Sequence, residues 1–251
     1  MRHLRLIALA LGLAAAPALA QAPAQTLPRA EIEQIVREYL LKNPEVLQEA
    51  MAELEKRQQD SQKQAQAAAL KDSREALVNS RHGVTVGNPA GDVTMVEFFD
   101  YNCGFCKRAL GDLRTLVKAD PKLRIVLKDF PVLGPDSVEA SRVALAAKQQ
   151  LKGDRLFDYH ARVLESRGRV NGERAMAVAK EMGLDMAKLQ KDVAGEEVAA
   201  AIAENASLGD KLGLSGTPAY IIGDEIVPGA VGVEPLRKTI ASVRQCGKAA
   251  C

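Results

Sequence analysis

The stretch Val93-Thr94-Met95-Val96-Glu97-Phe98-Phe99 is β-branched and aromatic and bounded by turn residues. It reads as a buried strand, and Cys103-Gly104-Phe105-Cys106 then opens a helical pattern that runs to Ala119. A second strand candidate follows at Leu123 to Phe130, so the helix between them acts as a βαβ crossover. This order places the first cysteine where unsatisfied backbone N–H groups and the positive end of the helix dipole stabilise an anion. The anion of a cysteine is the thiolate, the species that attacks disulfides. Cys106, one turn further along, is within reach to resolve a mixed disulfide formed at Cys103. Structural zinc needs two further ligands, and Cys246, Cys251, His82 and His160 do not stand at zinc-ribbon spacing, so no metal site is expected. Copper(I) on the two thiolates of Cys103 and Cys106 is the chemically easier metal and stands as the runner-up.

Upstream, Arg2, His3 and Arg5 precede the apolar run Leu6 to Ala16 and the small-x-small triplet Ala18-Leu19-Ala20, the pattern of a secretory signal cleaved after Ala20. The run is shorter than the roughly 20 residues that span a bilayer. An exported protein in an oxidising periplasm, without stable membrane insertion, is the expectation. The chain has 34 Lys and Arg against 32 Asp and Glu, and removing Arg2 and Arg5 balances them, so nothing here provides the basic field that nucleic acid needs. Ala30 to Lys42 carries Ile32, Ile35, Val36, Tyr39 and Leu40 at helical spacing, Asn43-Pro44 breaks the pattern, and a second helix continues through Val46, Leu47, Met51 and Leu54. Gln58 to Leu70 has helix formers but no large apolar side chain before Leu70. The stripe over 32–54 needs a partner, either another copy of this chain or the main domain; self-association through residues 30–57 is favoured.

Around His82 the pattern changes to Val84 and Val86, ahead of the turn residues Gly87 to Gly91. From Asp136 to about Leu212 only helical patterns occur, punctuated at Gly153, Gly168 to Gly172 and Gly183. Strands return at Ala219 to Ile222 and Glu225 to Val227, and Glu234 to Arg244 closes as a helix. The outcome is an α/β frame interrupted by a helical insertion. Pro218 cannot donate a ladder hydrogen bond, which leaves the backbone at Thr217 free to pair with an extended substrate. Glu97 inside an apolar strand is expected to be neutral or to relay protons for Cys106; a solvent-facing glutamate on an edge strand is the alternative. Cys246 and Cys251 suggest a local disulfide, with free thiols the alternative. His160 reads as a solvated or packed helix residue and His82 as preceding a turn.

Glu97 to Lys107, taken with Ser215-Gly216-Thr217-Pro218-Ala219, resembles the DsbA-type thioredoxin-fold thiol:disulfide interchange proteins. The start at Glu38 to Val46 and the helical stalk resemble the suppressor-of-copper-sensitivity protein C (ScsC) subgroup. The resemblance implies a thioredoxin fold with an inserted helical domain, preceded by an N-terminal helical oligomerisation stalk. Its divisions would be a signal over 1–20, a helical oligomerisation region and linker over 21–80, and thioredoxin-fold parts over 81–133 and 213–246. The insertion would span 134–212 and a tail 247–251. It implies a cis Pro218 facing the disulfide, substrate contact at Thr217, and Glu97 beneath the cysteines with Lys128 as its partner. Gly104 and Phe105 replace the histidine-containing dipeptide of strongly oxidising relatives, which speaks against very high oxidising power. The expected activity is that of a protein disulfide isomerase acting on cysteine-containing exported proteins without a cofactor. A DsbA-type dithiol oxidase and a copper-tolerance protein are the alternatives. A membrane redox partner and a homotrimer, or else a homodimer, complete the expectation.

Overall fold

The computed structural model describes residues 27–251, so the signal expected over 1–20 lies outside the described residues. The chain divides into two compact units between Arg57 and Gln58. The first contains α1 (Arg29–Lys42) and the opening turns of α2 (Glu45–Val78). Asn43 ends α1 with its N–H and side-chain amide both on the Tyr39 carbonyl, and Pro44, which has no N–H to satisfy, leads into α2. None of the α1 side chains is buried, and Ile32, Ile35, Val36, Tyr39, Leu47, Met51 and Leu54 are exposed.

The second unit is built on a five-stranded sheet of order β1-β3-β2-β4-β5, from β1 (Val84–Gly87), β2 (Val93–Phe99), β3 (Leu123–Asp129), β4 (Ala219–Ile222) and β5 (Glu225–Pro228). The β2–β3 pair is parallel, joined by α3 (Gly104–Ala119), and every other pair is antiparallel. Side chains alternate across the strands, so β2 sends Met95 and Phe99 to one face and Val96 and Phe98 to the other. The first face is covered by Leu110, Leu113 and Leu116 of α3 and by Leu236 and Ile240 of α9 (Val233–Cys246). On the second lie Leu70 and Leu77 of α2 and Leu208 and Leu212 of α8 (Glu196–Lys211). Gly209 allows α8 to approach closely, since a Cβ there would stand 2.5 Å from the Phe130 ring.

Between β3 and β4 the chain forms α4 (Pro135–Ala147), α5 (Gly153–Leu164), α6 (Gly172–Glu181), α7 (Met186–Val193) and α8. Their core is continuous with that of the α3 face of the sheet. At the end of α2, Leu70 and Leu77 join the core on the second face of the sheet, and Ser73 is buried. No helix among the described residues is long and apolar enough to cross a membrane.

Candidate active site

β2 delivers the chain to Asp100, whose carboxylate organises the turn that follows. Its Oδ1 accepts from the Asn102 N–H at 2.7 Å and the Ser137 hydroxyl at 2.8 Å, and its Oδ2 accepts from the Leu133 N–H at 2.9 Å. Asn102 Nδ2 donates to Ser137 Oγ and the Val170 carbonyl, while its Oδ1 accepts from the Val170 N–H. The turn is thereby tied to the helical insertion, and Cys103 is fixed as the N-cap of α3, its Sγ accepting from the Cys106 N–H at 3.4 Å. Both cysteines are free and buried. The Cys103 thiol donates to the Thr217 carbonyl at 3.1 Å, and the Thr217–Pro218 bond is cis. Phe105, between the cysteines, is 57% exposed, with the Arg108 guanidinium 4.3 Å from its ring centre.

Beneath the pair, burial pushes the Cys106 thiol up, and the nearby Glu97 and Cys103 add to the shift. Glu97 is 1% exposed on the central strand, and burial pushes its carboxyl up to about 8, with Asp112 contributing a like charge. Among the described residues no three His, Cys, Asp or Glu side chains converge as a metal site.

The site thus consists of a thiol at a helix start, a second thiol behind it and a cis-proline loop opposite. Residues 94–241 match the DSBA-like thioredoxin domain. The chain belongs to that family. Residues 29–60 match the N-terminal domain of the copper resistance protein ScsC. A thioredoxin-like oxidoreductase from Silicibacter pomeroyi DSS-3 is 40% identical, with 69% of this chain and 98% of that one covered and a TM-score of 0.65. The thiol-disulfide exchange protein alpha-DsbA2 from Wolbachia pipientis is 26% identical, covering 73% and 98% at a TM-score of 0.67. A linker-deletion mutant of Proteus mirabilis ScsC is also 26% identical, covering 90% and 98% at 0.65. Among curated proteins, the Na(+)/H(+) antiporter NhaA 1 of Salinispora arenicola is 26% identical over 60% of this chain, which spans only 23% of the antiporter's length.

Within this DsbA-like domain, Cys103, Gly104, Phe105, Cys106, Thr217, Pro218 and Glu97 come together. Lys128 does not join them. Glu97 stands in register with Leu127, so Lys128, one residue on, points through the opposite face of the sheet. There its ammonium is 0% exposed and donates to the Ala76 carbonyl at 2.9 Å and the Glu204 carboxylate at 2.8 Å. It anchors the end of α2 to α8 and is not the partner of Glu97. Cys246 and Cys251, remote from the site at the end of α9, are joined in a disulfide. His160 is a packed residue of α5, edge-on to Phe99 and 3.3 Å from the Tyr101 hydroxyl, and burial lowers it to about 3. His82 is buried against the Glu197 carboxylate at 3.1 Å.

Three site residues escaped the sequence reading. Asp100 and Asn102 act through partners 33 to 68 residues away, and only their position between a strand and a helix hints at capping. Tyr220 is the cross-strand neighbour of Glu97, and the Tyr220 hydroxyl and Glu97 Oε2 are both buried without a protein hydrogen-bond partner. The apolar strand Ala219–Ile222 signalled its burial but not its proximity to the carboxyl.

Proposed function

We propose that this protein is a thiol:disulfide oxidoreductase working mainly as a protein disulfide isomerase on exported proteins in the periplasm. The observation that carries this is the Cys103 thiol at the head of α3, 3.1 Å from the carbonyl of the cis-proline loop, with Cys106 buried behind it. In the first step the Cys103 thiolate attacks one sulfur of a substrate disulfide. A Cys103–substrate S–S bond forms, the substrate S–S bond breaks, and the displaced sulfur leaves as a thiolate. The substrate's extended backbone pairs at Thr217 while this bond exists. Two outcomes follow. A different substrate thiolate attacks the mixed disulfide and expels Cys103, which is isomerisation with no net change in redox state. Alternatively Cys106, losing its proton to the fraction of Glu97 that is ionised, attacks Cys103 Sγ and releases the reduced substrate; the Cys103–Cys106 disulfide must then be reduced by a partner, for which a membrane redox protein is suited.

Self-association through residues 30–57, as a trimer with a dimer as the alternative, would hide the exposed face of Ile32, Ile35, Val36 and Tyr39, and the match of residues 29–60 to the ScsC N-terminal domain supports it. Several Cys103 sites would then act on one held substrate, which favours repeated attack over a single transfer. The second reading, copper(I) held by Cys103 and Cys106, draws on the copper resistance proteins for which that matched domain is named.

The test is refolding of scrambled ribonuclease in a glutathione buffer. The full chain should restore activity and Cys103→Ser should not; deletion of residues 21–60 should give a monomer in sedimentation that exchanges dithiols but loses most isomerisation. Refolding unaffected by Cys103→Ser would overturn the catalytic assignment, and undiminished isomerisation by the deleted form would overturn the role of association.

A further inference from the structure

Beside Cys103 lies an open groove of about 530 Å³ whose walls come from Phe105, Leu214, Pro218, Ile226 and Pro228. It is bordered by the same Thr217–Pro218 loop that faces the Cys103 thiol. Among the described residues lining it, Arg108 is the one that is charged, and none is a carboxylate. The guanidinium stacks on the exposed Phe105 ring at 4.3 Å, which holds the cation at the groove. The neighbouring Lys107 is engaged differently, donating to the Ser166 and Gly168 carbonyls of the helical insertion. Arg169, near the same insertion loop, is paired with Asp136.

Resting on the exchange reading above, we infer that Arg108 is a specificity-determining residue that selects substrate segments carrying an acidic side chain next to the reactive cysteine. A substrate strand pairing at Thr217 lays its flanking side chains along this groove, where apolar walls accept aliphatic groups. A carboxylate there meets the stacked guanidinium, and an ammonium in its place meets a like charge, so discrimination comes from repulsion as well as attraction. A single exposed ion pair is worth up to about 1 kcal/mol, or about fivefold in rate.

The probes are two nine-residue peptides with one central cysteine, flanked on both sides by Glu in one and by Lys in the other. Each is joined to glutathione as a mixed disulfide and mixed with the reduced full-length protein. Cys103 displaces one thiol, Cys106 then closes the protein disulfide, and peptide thiol and glutathione are released. Single-turnover rates should favour the Glu peptide by about fivefold at low salt, falling toward unity at high salt. Arg108→Gln should bring the ratio to about one, and Arg108→Lys should retain part of the preference. Equal rates for the two peptides, or an unaltered ratio in Arg108→Gln, would overturn this inference alone. Absence of exchange with both would overturn the exchange reading and this inference together.

Discussion

Replacing Glu97 with Gln measures how firmly the sheet holds this carboxyl neutral. Burial on the central strand, with Asp112 adding a like charge, raises its pKa from the ordinary 4.5 up to about 8. Between those values the folded protein binds one proton that the unfolded chain has released. Stability therefore falls as pH rises, by about 1.36 kcal/mol per pH unit. The loss is absent below the unfolded value and complete above the folded one. Across the whole window it reaches on the order of 5 kcal/mol, of which about 4 kcal/mol falls between pH 5 and pH 9. Glutamine keeps the shape of the neutral acid and does not titrate, so the variant escapes this loss. Asp129, pushed up to about 7 by burial, gives a parallel slope, but it is present in both proteins and cancels in the comparison. The assay is urea unfolding followed by far-ultraviolet circular dichroism, since the chain has no tryptophan, in a Cys103→Ser/Cys106→Ser background that fixes the thiol state. The stability difference should move toward the Gln variant by about 4 kcal/mol from pH 5 to pH 9. A difference constant to within about 1 kcal/mol would show that the carboxyl ionises freely in the fold and would remove it as the proton acceptor for Cys106.

Two further outcomes are expected. Cys106→Ser should accumulate covalent complexes between Cys103 and substrate proteins, visible as reductant-sensitive bands on non-reducing gels, because the attacking thiol remains and the resolving one is gone. Lys128→Ala should cost about 2–3 kcal/mol in urea unfolding without altering the rate of dithiol exchange, since it strips the Ala76 carbonyl and Glu204 of their buried donor on the face of the sheet away from the cysteines.

The strand, the cysteine pair and the crossover were legible because each carries its signal locally: β-branched runs for the strands, i, i+3, i+4 spacing for α3, and a proline ahead of an apolar strand at Pro218. Pairings across the sheet were not legible, because the face a side chain occupies depends on register. A shift of one residue separates Leu127, which neighbours Glu97, from Lys128, which points away. The end of α2 shows the same limit from the helix side. Leu70 and Leu77 are a single stripe of two large residues in a polar segment, too sparse to announce a packed face, yet the sheet they cover supplies the rest of that core. Asp100 and Asn102 look like ordinary turn formers, and their function lies in partners the local sequence does not contain.

Asn102 reads both polar groups of one residue, giving its amide hydrogen to the Val170 carbonyl and taking the Val170 N–H on its oxygen. A carboxylate there would lose the donor half, and the longer side chain of glutamine would displace the contact. The helices between β3 and β4 are consequently not an ornament that trimming could remove from a finished catalytic body. Excising them would leave the peptide ahead of Cys103 without its outer supports, so a minimised version of this protein must carry a replacement for Val170 and Ser137 before its first cysteine can be aimed.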